Sequence, residues 1–132
     1  MSLAGPAIAS DTFAREEWPG ELEVAAQNTT VGHEILFENE RVRVWGLDLA
    51  PGERVPFHCH TSTYFWVCVD PGRAHQRYPN GQMETFEFRN GDVDFLDVLP
   101  GESLIHDLDN CGESRLRFVA VELLDGGNGT RS

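Results

Sequence analysis

Positive charge is scarce in this chain. Ten arginine and lysine side chains stand against twenty-two aspartates and glutamates, a formal charge of −12 at pH 7. A surface of that sign repels phosphate backbones and anionic headgroups, so nucleic acid and membrane surfaces are excluded as expected partners. No apolar run approaches the length that crosses a bilayer, and no basic stretch followed by an apolar one opens the chain. These absences point to a soluble, cytoplasmic protein. Cysteine is also sparse: Cys59, Cys68 and Cys111 are odd in number and lack the paired spacing of a zinc knuckle or redox motif. Reduced thiols are the expectation. No internal repeat occurs, and the only biased tract is the glycine-rich segment 125–132.

What is present suits one globular domain. A chain of 132 residues, 40% hydrophobic, with eight Phe and three Trp, can build a single sandwich or small barrel. Residues 1–30 mix glycine, proline, alanine and acids without a period and read as an N-terminal arm. Within it, 11–17 is a candidate helical turn capped by Asp11, and the first few residues resemble a cloning remnant. The barrel is expected over 31–124 and a flexible tail over 125–132.

From 31 onward, short β-type runs alternate with turn dipeptides. The segments 35–37, 42–49, 55–60, 64–69, 73–78, 83–88, 93–99, 103–108 and 116–124 read as strands. Between them lie Pro51-Gly52, Pro71-Gly72, Asn80-Gly81, Asn90-Gly91, Pro100-Gly101 and Cys111-Gly112. Asn80-Gly81 predicts a type I′ hairpin turn, because both residues tolerate positive φ. With no amphipathic helix between these strands, the fold class is all-β, an antiparallel sandwich or barrel.

Three histidines stand out. His58 and His60 flank Cys59 in Pro56-Phe57-His58-Cys59-His60, and strand alternation sends both imidazoles to one face with the thiol on the other. Two core histidines satisfied by neighbours would give the same pair. The pair follows one Pro-Gly turn, however, and His106 follows a second, so two turn-strand units each deliver a metal-ligand type.

The motif Gly52-Glu53-Arg54-Val55-Pro56-Phe57-His58-Cys59-His60 resembles the first motif of the cupin superfamily. Gly91-Asp92, His106 and Asn110 resemble the second, with Cys111-Gly112-Glu113 similar to the turn after that asparagine. The resemblance implies a double-stranded β-helix, or jelly roll, and one divalent transition metal (Fe, Zn, Ni or Mn) held by His58, His60 and His106. It also implies a frequent homodimer. Two departures stand beside it. Where cupins commonly carry a glutamate ligand, this chain has Tyr64 and Phe65. The interval from Gly91 to His106 is about four residues longer than usual, and Asp97 stands where the family often has proline, which an enlarged turn over 99–103 would absorb.

Three neutral imidazoles leave a dication's full charge available to bound water or substrate. Some cupin dioxygenases for small thiols and diketones use such a set, so the resemblance implies an enzyme of dioxygenase, or oxidoreductase, type acting on a small polar metabolite. Two alternatives remain open: a metal or small-ligand binding or sensor cupin without turnover, and a metal-dependent isomerase, lyase or hydrolase. Tyr64 is the candidate catalytic residue, with three readings: axial ligand, hydrogen-bond donor to a ligand, or core aromatic. Trp66, Phe95 and Trp45 are candidates for a pocket wall or for plain core. Arg54 is a weaker candidate for a substrate carboxylate, Asp97 and Glu102 for a late carboxylate ligand, and His33 and His75 fall outside both motifs. Cys68 shares the inward parity and reads as buried core.

Overall fold

The computed structural model describes residues 6–124, so the expectations for the opening residues and the 125–132 tail lie outside the described part. Ten strands follow in order: β1 (Ala9–Thr12), β2 (Glu34–Glu38), β3 (Val42–Leu49), β4 (Arg54–His60), β5 (Tyr64–Asp70), β6 (Gly72–Arg77), β7 (Gln82–Phe88), β8 (Val93–Leu96), β9 (Leu104–Asn110) and β10 (Leu116–Leu123). They form two five-stranded antiparallel sheets, ordered β1-β7-β6-β9-β4 and β2-β3-β10-β5-β8. The fold is an all-β jelly roll. No helix among the described residues is long and apolar enough to cross a membrane.

The core lies between the sheets, where alternate residues of facing strands meet. Trp66, Phe88 and Phe118 pack edge to face, with centroids 5.0 to 5.3 Å apart and planes near perpendicular. That arrangement suits rings with negative faces and positive edges. Leu49, Leu116 and Cys68 fill the space beside them and are almost wholly buried. Asn110 closes one end of this core. Its amide donates to the carbonyls of Leu49 and Ser114, both at 2.8 Å, and its oxygen accepts the Gly112 N–H at 2.9 Å.

Several local readings need correction. The segment Ala9–Thr12 is a strand, paired from Ala9↔Thr85 to Thr12↔Gln82, so Asp11 lies opposite Met83 rather than capping a helical turn. The turn itself is Arg15–Glu17, with Ala14 at its N-cap and no side-chain cap bond. All four residues of β1 are exposed and show no alternation, so only the free edge of β7 orders them. The β6-β7 hairpin is present, yet its turn is not type I′. Among the described residues positive φ occurs only at glycines, Gly81 at 92° included, and the Gly81 N–H bonds Tyr78 O at 3.0 Å. Pro79, with its fixed φ, takes the first corner, and a type I turn followed by a left-handed glycine results. Strand β8 stops at Leu96 because Val98 leaves the ladder for the Thr63 hydroxyl, which it meets through its N–H at 3.0 Å and its carbonyl at 3.3 Å. The enlarged turn expected before β9 follows, with Gly101 at φ 86°.

The N-terminal segment lies on its own barrel. Asn28 covers the edge of β4: its side chain donates to Phe57 O at 2.9 Å and its carbonyl accepts the Cys59 N–H at 2.7 Å. Glu21 accepts from both terminal nitrogens of Arg54, at 3.0 and 2.5 Å, and from the Phe57 N–H at 2.7 Å. Trp18 stacks over the Arg54 and Arg77 guanidinium groups at 3.9 and 4.6 Å. Beneath it Asp107, wholly buried, accepts from Arg54 Nε at 2.8 Å, the Arg77 N–H at 2.7 Å and Arg77 Nη1 at 3.1 Å. The network pins β4, β6 and β9 together on the face opposite the histidines.

Removing that carboxylate leaves two guanidinium groups close together without their shared partner. Asp107→Ala is expected to lower unfolding stability by about 3–5 kcal/mol, the usual cost of breaking a buried ion pair. Urea denaturation reads it, and a loss under about 1 kcal/mol would mean that the cluster is incidental to the fold.

Candidate metal centre

The histidines owe their positions to a local irregularity. Pairing between β4 and β9 shifts register between Val55 and His58, so Val55 packs in the core while Phe57 turns outward against Trp18 and Phe13. Beyond the bulge, His58 and His60 point inward, and His58 lies directly opposite His106. Regular alternation from Val55 would have turned the pair to the outside.

The three side chains converge. His58 Nε2 lies 3.1 Å from His60 Nε2, which lies 3.1 Å from His106 Nε2. Ring centroids are 4.8 to 5.0 Å apart, and the planes cross at 70° to 81°. His58 Nδ1 donates to Pro56 O at 2.7 Å, which leaves Nε2 as a bare lone pair. Burial holds the imidazoles neutral, with His58 pushed down to about 4, His60 to about 2 and His106 well below its ordinary value. A neutral His60 has one ring proton. It can satisfy at most one of its two Nε2 neighbours, and its buried Nδ1 has no partner. The remaining lone pairs are aimed at a common point, the arrangement a divalent cation would resolve. The residues therefore fit a metal.

Tyr64 is buried and stacks flat on His60, with centroids 3.8 Å apart and planes 7° apart. Burial raises its phenol, and Asp94, Tyr78 and Glu122 raise it further, so the hydroxyl stays protonated. It holds the His60 ring from the side as a neutral aromatic. A chamber opens beside the histidines: an inner part of about 50 Å³ reaches down to Phe118, and an adjoining part of about 160 Å³ runs toward Asp94 and Tyr78. His106, Tyr64, Trp66, Gln76 and Phe88 line both.

Other sequence candidates are placed elsewhere. Trp66 lines the chamber, but Trp45 lies in the core and donates to Glu122 at 2.8 Å. Phe95 is exposed and stacks on Phe65 on the outer face, because the register Trp66↔Asp94 turns Asp94 inward instead. Arg54 is held by Glu21 and Asp107, away from the chamber. Asp97 is exposed, and Glu102 accepts the Leu99 N–H at 3.1 Å in the turn. His33 accepts the Asp48 N–H at 3.0 Å. His75 lies 3.3 Å from Asp109, its cross-strand partner, and both sit close to Cys111. That carboxylate is also bonded by Arg77 at 2.6 Å. Asp94, Gln76 and Tyr78 are chamber residues that sequence reasoning missed. The signal for Asp94 lay in strand parity with Leu96, masked by the apolar Val93 and Phe95 beside it.

No family model and no curated protein matches the sequence. Solved structures do match. A cupin domain from Bordetella pertussis is 24% identical over 68% of this chain and 88% of its own, with a TM-score of 0.61. A Klebsiella pneumoniae protein with a double-stranded β-helix domain is 19% identical over 80% and 89%, at 0.56. An oxalate decarboxylase of Bacillus subtilis is 20% identical over 65% of this chain and 22% of its own, at 0.50. Together with the two-sheet topology and the histidines delivered by β4 and β9, these likenesses identify the fold as the cupin double-stranded β-helix.

Proposed function

We propose that this chain is a metal-dependent cupin enzyme of dioxygenase type, cytoplasmic, acting on a small polar metabolite. The observation that carries the reading is three neutral imidazole nitrogens converging, without a carboxylate among them, on the wall of a small aromatic chamber. His58, His60 and His106 would hold the metal. A divalent transition metal with three protein ligands supplies Lewis-acid or one-electron chemistry at its open positions. Pro56 O fixes the His58 tautomer, Tyr64 steadies the His60 ring, and the aromatic walls keep bulk water from a bound ligand. In this reading the Tyr64 phenol serves as a hydrogen-bond donor to that ligand.

Elemental analysis tests the ligand set. Wild type is expected to carry about one metal per chain, and His58→Ala, His60→Ala and His106→Ala each under about a tenth of that. Stoichiometric metal in the His106 variant would contradict the assignment. For the activity, protein loaded anaerobically with Fe(II) is expected to consume oxygen with at least one member of a panel of small thiols, diketones and amino-acid derivatives. No uptake with iron bound would leave the binding or sensor reading and the isomerase, lyase or hydrolase reading in its place.

Tyr64→Phe keeps the stacked ring and is expected to change metal affinity by less than about twofold, whereas Tyr64→Ala loosens His60 and weakens it about 10-fold or more. Competition with a chromophoric chelator measures both, and a large loss in the Phe variant would mean that the phenol oxygen is a ligand.

We also propose a homodimer formed through β2. All five residues of this edge strand are exposed, Ile35, Leu36 and Phe37 each about half so. Apolar side chains on an unpaired edge favour association. Light scattering is expected to give twice the chain mass, and Phe37→Glu the chain mass alone; a monomeric wild type would refute the pairing.

A further inference from the structure

We infer that the chamber selects a small cationic ligand, an amine or ammonium compound whose other end carries the donor to the metal. The inference rests on the chamber being the ligand site proposed above, and concerns the charge that the site accepts.

Asp94 is the one charged side chain, histidines aside, on the described wall of either cavity. Its Oδ1 accepts the Phe95 N–H at 2.9 Å, which orients the carboxylate and leaves Oδ2 without a hydrogen bond among the described residues. Trp66, its cross-strand partner, and Tyr78, Phe86 and Phe88 line the same cavity. A carboxylate inside an aromatic wall is the chemistry that recognises an ammonium group, through ion pairing and attraction to the ring faces. The Tyr78 hydroxyl adds to the polarity, lying 2.9 Å from a Glu84 carboxylate oxygen and 3.0 Å from Gln76 Oε1.

No arginine or lysine side chain is on the described wall of the chamber to pair with an anion. The chain contains no lysine, and none of the described arginines reaches the chamber. Arg54 and Arg77 are committed to Asp107 on the outer face of β4, β6 and β9. A ligand with two carboxylates would place one of them beside Asp94 with no countercharge. The net charge of −12 further concentrates cations near the mouth. At the opposite end a dication held by neutral imidazoles attracts an anionic or lone-pair donor and repels an ammonium group. The two ends therefore ask for opposite chemistry, and the ligand's orientation follows: ammonium at Asp94, donor at the histidines.

Calorimetric titration of zinc-loaded protein with 4-mercaptobutylammonium and with 4-mercaptobutanoate, which share one thiol donor to the metal and differ in the charge of the far end, tests the charge preference. Wild type is expected to bind the ammonium probe about tenfold or more tightly than the carboxylate. Asp94→Asn is expected to remove that preference with metal content unchanged, and Asp94→Glu to retain it, which separates loss of charge from loss of fold. Equal or tighter binding of the probe with the far carboxylate, no binding of either probe, or a preference that survives Asp94→Asn would overturn the inference. The same titration on a His58→Ala/His60→Ala variant keeps the two readings apart. An ammonium preference that persists there while wild type binds no metal would leave the ligand class standing and remove the metal. Stoichiometric metal with no preference in wild type would do the reverse.

Discussion

The register between β4 and β9 is the constraint on which the site depends. It sets His58 opposite His106, and the bulge between Val55 and His58 turns His58 and His60 to the inside after Val55 has already been used for the core. β4 is an edge strand, where bulges are common, and contacts on its other face hold it in place. Here Asp107, next to His106 in sequence, binds Arg54 at the start of β4 and Arg77 at the end of β6, and Glu21 and Asn28 fasten Phe57 and Cys59. An ion cluster on the outer side of the sheet thus holds the imidazoles on its inner side.

That division explains the charges of the two faces. The outer face gathers arginines against acids, with Trp18 covering two guanidinium groups. The described wall of the chamber on the inner side has three neutral histidines, aromatic rings and one carboxylate. Low-dielectric surroundings push the imidazoles toward neutrality, which is the form that binds a metal, and raise the Tyr64 phenol. Where the usual motif has its glutamate, this chain has a ring that stacks on His60.

Much of the barrel is legible in the sequence, because turn dipeptides punctuate runs with β-type composition. β3 coincides with its expected span, and the remaining strands of 31–124 differ at their ends. What escapes reading depends on tertiary pairing. β1 has neither alternation nor burial, and exists because β7 has a free edge. The turn at Asn80-Gly81 follows Pro79 rather than the Asn-Gly pair. In β8 hydrophobicity misleads: Phe95 looks inward by composition, but pairing with Trp66 turns Asp94 in and Phe95 out. The three histidines are legible as a group because two turn-strand units deliver them. The bulge that orients two of them, and the Asp107 cluster behind, become visible only when β4, β6 and β9 are side by side.

The central claim is that His58, His60 and His106 form a three-nitrogen metal centre without sulfur or carboxylate. X-ray absorption on the zinc-loaded protein measures the coordination shell directly. The account predicts three imidazole nitrogens at about 2.0–2.1 Å, with the rest of the shell made of light solvent atoms. A sulfur scatterer near 2.3 Å, or a shell with fewer than three imidazoles, would contradict it.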